Sequence, residues 1–259
     1  WTNRFPVLAW LLTIELGYLI TLPLAMFIFR PLPDRGIVLA RILGFLLIGY
    51  LAWLLVSLDW LTFSNWAIFI GALLVGLGSA ITLVLHWREI IGFLRERWKL
   101  LLLAETLFLL AFLAFVLVRA ANPDLWHPFR GGEKPMELAY LSAVVRSTTL
   151  PPYDPWFAGG YLNYYYWGYF LVSLPMRVTG IVPTTAFNLA VPLFFALTFT
   201  GAFSLVYNLA EGLRRSRSAS RDGPAAALEP HPPPDSPQEA GGLPGSAQVP
   251  NSEQSAQIP

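Results

Sequence analysis

Residues 100–119 read LLLLAETLFLLAFLAFVLVR, and apart from Glu105 and the closing Arg119 the run carries no charge. About 20 apolar residues in a helix cross the roughly 30 Å of bilayer hydrocarbon. A helix does so with every backbone N–H and C=O paired inside the segment. This run therefore reads as a membrane span. Five further blocks share its character, at 5–29, 38–57, 65–85, 161–179 and 184–208. Together they predict an all-α integral membrane protein with about six transmembrane helices. Composition agrees: 55% of residues are hydrophobic, 15% aromatic and 13% charged, and mean hydropathy is +0.54. Soluble domains are less apolar and more charged. A net charge of +1 gives no basis for a nucleic-acid partner. The absence of cysteine excludes disulfides, thiolate metal sites and a cysteine nucleophile.

Immediately upstream, residues 86–99, HWREIIGFLRERWK, bring Arg88, Arg95, Arg97 and Lys99 together. The 30–41 connection holds Arg30, Arg35 and Arg41, whereas 58–64 has no basic residue. Basic loops stay on the cytoplasmic side. That rule places the N-terminus and residues 122–160 outside. The Arg214, Arg215 and Arg217 cluster fits this orientation poorly if all six blocks cross. Pro23 is expected to kink the first span, and Gly71, Gly76 and Gly78 to permit close helix contact in the third. The first block is too long for a signal-peptide core and no cleavage site follows it. Block 161–179 begins YLNYYYWGY and is expected to enter hydrocarbon only near Phe170.

The two ends of the chain differ from this core. The chain begins at Trp1 and reads as a fragment of a longer protein. From Arg214 the composition turns to Pro, Ser, Gly and Ala, as in LEPHPPPDSPQEAGGLPGSAQVP at 228–250. Such a segment cannot bury enough surface to offset its ordering entropy. The domain reading is therefore a membrane domain over 1–213 and a disordered linker or tail over 214–259.

Downstream of the 100–119 span lies a polar island. Asn122-Pro123-Asp124 reads as a turn and Gly131-Gly132 as a second break. Residues 133–170, EKPMELAYLSAVVRSTTLPPYDPWFAGGYLNYYYWGYF, concentrate acids, prolines and aromatics beside the membrane. Met136, Ala139, Tyr140, Ala143 and Val144 recur at helical spacing, so 133–147 is expected to be an amphipathic helix along the surface. Pro135 suits its first turn, and Leu150-Pro151-Pro152 ends it. Glu133 and Glu137 are four apart and share one face. An acid at a helix start is stabilised by the backbone N–H groups there, which makes helix stabilisation the commoner role. The alternative role is an ionised, fixed carboxylate that binds a cation or accepts a proton. Asp154 in Tyr153-Asp154-Pro155-Trp156 is a turn acid by type and a second site carboxylate by position. Asp124 and His127 are further candidates. Tyr164, Tyr165 and Tyr166 suit an aromatic belt. Asn163 fits a belt less well, and Gly159, Gly160 and Gly168 suggest close backbone approach. Aromatic faces with polar tips also suit sugar binding. Glu105, at membrane depth, requires a partner. No phosphate-binding loop, HExxH or GxSxG motif occurs.

The segments EKPMELAYLSAVVRS, PPYDPWFAGG and YLNYYYWGYF together resemble the signature of the uncharacterised multi-pass "YYY" membrane protein family. That family is similar in layout to the GT-C class of integral-membrane glycosyltransferases, in which a first external loop carries an acidic motif at the start of a surface helix. The resemblance covers most of 1–213 and implies a prokaryotic plasma-membrane location. It implies that Glu133 takes the position of the catalytic acid; Asp154, across the loop, is the second catalytic candidate by its position in the sequence. Lys134 stands where a second acid is usual, a departure from the pattern. Lys134, Glu137, Asn163, Tyr164, Tyr165, Tyr166 and Arg130 would bind substrate. The implied chemistry is sugar transfer from a polyprenyl-phosphate-linked donor at the outer face. Arg130, Lys134, Arg146 or a bound divalent cation would neutralise the donor phosphate. Two other classes remain open by sequence: a non-catalytic membrane scaffold, and a lipid or polymer transporter.

Overall fold

The computed structural model describes residues 2, 4–126 and 132–221. These form α1 (Pro6–Ile28), α2 (Leu39–Ser57), α3 (Asn65–Glu96), α4 (Trp98–Ala121), α5 (Lys134–Arg146), α6 (Tyr166–Thr179) and α7 (Pro183–Arg221). No strand occurs among the described residues; Tyr153 and Tyr161 make one isolated antiparallel bridge. The chain divides into units 1–216 and 217–259, and all that follows concerns the first. Helices α1, α2, α3, α4 and α7 are long and apolar enough to cross a membrane. Leu16, Leu19, Leu77, Leu110 and Leu117 stand exposed on their outer surfaces, as a lipid solvent requires and water would penalise.

The tight packing of α1, α2 and α3 depends on small residues. A Cβ on Gly44 would lie 2.9 Å from the Gly17 carbonyl oxygen, and one on Gly71 would lie 2.9 Å from that of Ile48. Such contacts admit only a hydrogen at those positions. Gly78 instead faces open space, so the expected contact there is absent. Helix α1 continues past Pro23. The N–H of Leu24 turns to the Ser79 hydroxyl of α3 at 3.2 Å, a neighbouring-helix rescue of a group that a proline disturbs.

Helix α3 bends at His86, whose φ and ψ are −121° and 21°. The apolar block 65–85 lies before the bend. The basic stretch expected as a loop is mostly a helical extension beyond it. There Glu89 pairs with Arg30 and Arg35 at 3.0 and 2.7 Å. Buried Asp34 accepts from the Ser204 hydroxyl of α7 at 2.8 Å, and Asn208 accepts from the Asp34 N–H at 3.0 Å. These bonds fix the α1–α2 connection, the end of α3 and the later part of α7 at one end of the bundle. Arg41 does not belong with that connection. It is buried in α2 and bridges Glu15 and Glu105.

The other end gathers the α2–α3 loop, the end of α4, α5, α6 and the start of α7. The N–H of Phe63 donates to the Thr148 carbonyl at 2.7 Å. Arg119 of α4 donates to the Asn188 side chain of α7 through Nε at 2.9 Å, and its Nη2 reaches the same oxygen. Helix α6 lies within this end. Near its start Trp53 Nε1 donates to the Tyr166 hydroxyl at 2.7 Å, and near its close Arg177 donates to the Ser147 carbonyl at 2.5 Å. With 14 residues it is about 21 Å long, too short to traverse the bilayer. The expected fifth span, 161–179, is thus a short helix beginning at Tyr166, because residues 161–165 are turn and loop. Helix α7 also runs past the expected limit of 208, to Arg221. The expected tail from 222 onward lies outside the described residues.

Candidate functional site

Helix α5 starts where the sequence placed it. Glu133 occupies the N-cap position with φ −85° and ψ 0°, but its side chain makes no capping hydrogen bond. Its carboxylate is therefore not consumed by its own helix. Pro135 lies in the first turn with Glu137. Leu141 and Val144 are the buried face of α5; Leu141 packs with the α1, α4, α6 and α7 core and Val144 with Phe63, Phe170 and Leu174. That packing leaves the acidic turn of α5 over the start of α6. The Tyr140 and Tyr169 rings meet there with centroids 5.9 Å apart.

A cavity of about 600 Å³ opens between α5, α6 and α7. Glu137, Asn163, Tyr164, Tyr165, Tyr166 and Tyr169 line it, with Phe187 and Phe194 of α7 on the apolar side. The structure thus brings together five of the expected residues: Glu137, Asn163 and the three tyrosines. Tyr165 has φ +64°, a left-handed conformation that costs a non-glycine residue roughly 1–2 kcal/mol. The turn projects two rings outward, Tyr164 being 74% and Tyr165 67% exposed, with centroids 4.4 Å apart. Tyr166 differs, since its hydroxyl is held by Trp53. Burial pushes the Tyr169 phenol up to about 12, and the Glu137 carboxylate adds to this, followed by Tyr140 and Glu133. Both acids of the α5 start therefore act on the same phenol, although Glu133 does not line the cavity.

The remaining candidates are placed elsewhere. Asp154 Oδ1 accepts from the N–H groups of Trp156 and Phe157 at 2.8 and 3.2 Å. It shapes its own turn, as its residue type suggests. That turn stacks the exposed Tyr153 and Tyr161 rings, centroids 4.9 Å apart. Asp124 likewise accepts from the Trp126 N–H at 2.9 Å. Lys134 Nζ reaches the Asp124 carbonyl at 3.4 Å, tying the start of α5 to the preceding loop. Arg146 is exposed at the far end of α5. Arg130, His127 and Gly131 lie outside the described residues. Gly168 faces open space rather than a close neighbour. Among the described residues no three acid or histidine side chains gather as metal ligands do.

Sequence reasoning did not single out Tyr169, Trp53 or the α7 phenylalanines. Tyr169 had a usable signal, lying one turn after Tyr166 on the same helix face. Trp53, Phe187 and Phe194 had none, because apolar spans are full of such residues.

A family model described as Uncharacterized membrane protein (DUF2298) matches residues 47–229. No curated protein and no solved structure shows significant similarity to the chain.

Proposed function

The chain belongs to the Uncharacterized membrane protein (DUF2298) family, and we propose that it is a GT-C-like glycosyltransferase using a polyprenyl-phosphate-linked sugar donor. The observation that carries this reading is the α5–α6–α7 cavity, where Glu137 meets Asn163 and four tyrosines. The bundle end opposite it carries Arg30, Arg35 and the α3 extension with Arg88 and Arg95. By the positive-inside rule that end is cytoplasmic, which puts the cavity on the outer side of the membrane in this reading.

In this reading Glu137 accepts the proton of an acceptor hydroxyl, whose oxygen then attacks the sugar's anomeric carbon. The bond from that carbon to the donor phosphate breaks, and polyprenyl phosphate leaves. Glu133, one turn away, holds the local field negative and keeps a second proton acceptor at hand. The exposed Tyr164 and Tyr165 rings stack on apolar sugar faces, and Asn163 bonds to hydroxyls. Lys134, at the start of α5 beside Glu133, is the described cation available to the donor phosphate. The phenylalanines of α7 give the polyprenyl chain an apolar wall within the membrane. Asp154 retains a positioning role through its turn.

The test uses membranes containing the protein and a radiolabelled polyprenyl-phosphate sugar. Glu137→Gln is expected to lower transfer by about 10²–10⁴-fold, the usual worth of a positioned general base, with helicity unchanged. Unchanged transfer in that variant would remove Glu137 from catalysis. Movement of the labelled lipid without bond cleavage would replace the transferase reading with a transporter.

A further inference from the structure

Beyond its bend at His86, α3 continues to Glu96. One side of this extension is held against the bundle. Ile90 is 4% exposed and belongs to the buried cluster of Met26, Ile37 and Val38, against which Phe93 and Leu94 also pack. The Arg35 guanidinium lies over the Phe93 ring, 4.7 Å from its centroid. Glu89 turns to Arg30 and Arg35. The other side presents Arg88, Gly92 and Arg95, all exposed. Neither Arg88 nor Arg95 has an acidic partner among the described residues, since Glu89 is taken by Arg30 and Arg35 and Glu96 lies beside Arg97. A Cβ on Gly92 would meet nothing within 4 Å, so the surface beside the two guanidiniums is open.

The residues before the bend indicate what covers this surface. Leu77, Ile81, Val84 and Leu85 recur at helical spacing and stand exposed, Val84 by 73% and Leu85 by 71%. In a membrane span such a stripe lies against acyl chains. It gives way to Trp87, an exposed indole of the kind that sits at headgroup level, and Arg88 follows directly. Arg88 and Arg95 are about 10 Å apart along the helix axis. An apolar stripe that leads into two unpaired cations matches one class of molecule, an acyl chain that ends in an anionic head.

We propose that Arg88 and Arg95 bind the phosphate of an anionic membrane phospholipid whose acyl chain runs along Ile81, Val84 and Leu85. A guanidinium offers paired N–H donors that fit phosphate oxygens, and basic residues next to a span attract anionic lipid. A zwitterionic headgroup carries its own ammonium beside the phosphate, so a net-negative headgroup such as phosphatidylglycerol is preferred. A soluble phosphate would gain nothing from the apolar stripe. Arg214 and Arg215 of α7 are less suited, because Glu211 engages them at 3.0 and 3.4 Å. The bound lipid holds the α3 extension at the membrane surface, at the bundle end opposite the α5–α6–α7 cavity. It does not depend on the transferase reading.

Native mass spectrometry of the full chain, released from mixed micelles with equimolar phosphatidylglycerol and phosphatidylcholine, counts the lipids that stay bound. One phosphatidylglycerol per chain is expected, favoured over phosphatidylcholine by about fivefold or more. Arg88→Gln with Arg95→Gln should bring the two lipids to parity with helicity unchanged. Arg214→Gln with Arg215→Gln removes the same charge and should leave the preference intact. Parity in the unaltered protein, or a preference that survives loss of Arg88 and Arg95, overturns the proposal. Equal loss in both double variants would assign the preference to overall charge and overturn the site. Displacement of the lipid by an equal concentration of glycerol 3-phosphate would show that the head alone suffices, and would overturn the acyl-chain contact.

Discussion

At the scale of single residues, the candidate site was half legible. Glu133 at the helix start and Pro135 in the first turn fall where the sequence put them. Residue type already marked Asp154 as a turn acid, but it did not mark Glu137 as the acid that lines a cavity. Both are acids in a polar island; the fold bears out the turn role of Asp154 and adds that Glu137 lines the cavity. Tyr169 gives a pH test of the cavity. Its phenol is raised to about 12 in the folded chain, against about 10 when unfolded. The unfolded state therefore loses its proton first as pH rises. The stabilisation from neutral Tyr169 is complete below about pH 10 and is lost as pH climbs to about 12. Melting temperatures measured from pH 8 to 12 should fall at the alkaline end, and Tyr169→Phe should flatten that fall. An identical profile in the variant would mean that Tyr169 is not held in the pocket as described. Trp53→Phe provides a second test at this scale. It deletes the 2.7 Å bond to the Tyr166 hydroxyl, worth about 0.5–1.5 kcal/mol. Tyr166→Phe should cost a similar amount, and the double variant should cost clearly less than the two together.

At the scale of helices, apolar length identified five of the crossing elements and misjudged one. Block 161–179 has enough apolar residues in its second half to look like a span. Tyr161 to Tyr165 are turn and loop, however, and Tyr165 has a positive φ that starts α6 afresh. A hydropathy window averages across that break, and a backbone turn at Tyr165 leaves no mark in it. The bend of α3 at His86 was hidden for a similar reason: the basic stretch beyond it is helical, and charge density reads as loop. Glycine spacing was informative only in part, since Gly71 sits at a helix contact and Gly78 does not. This sets the expected outcome of substitution. Gly71→Leu forces α3 away from the Ile48 carbonyl of α2 and should destabilise the bundle by at least about 1–3 kcal/mol. Gly78→Leu should change the midpoint of denaturant unfolding little. Equal effects at the two positions would contradict the α2–α3 contact.

At the scale of the whole molecule, the short α6 changes the topology. With six crossings the N-terminus and residues after 208 would share a side, and Arg214 and Arg215 would lie outside against the charge rule. With five crossings α7 carries Arg214 and Arg215 to the end that already holds Arg30, Arg35 and the α3 extension. The internal bonds require this arrangement independently of charge. Arg119 ties the end of α4 to Asn188 near the start of α7, while Asp34 ties the α1–α2 connection to Ser204 further along it. One helix that touches both ends of the bundle must traverse it. The chain has no cysteine, so single cysteines report sidedness without background. Cysteines at Thr149, Arg95 and Arg214 should divide two ways: Thr149 labels from outside intact cells with a membrane-impermeant maleimide, and the other two label only after permeabilisation. Labelling of Arg214→Cys from outside would restore the sixth crossing. It would also move α6 out of the outer interface, and the cavity between α5, α6 and α7 could not then exist as described.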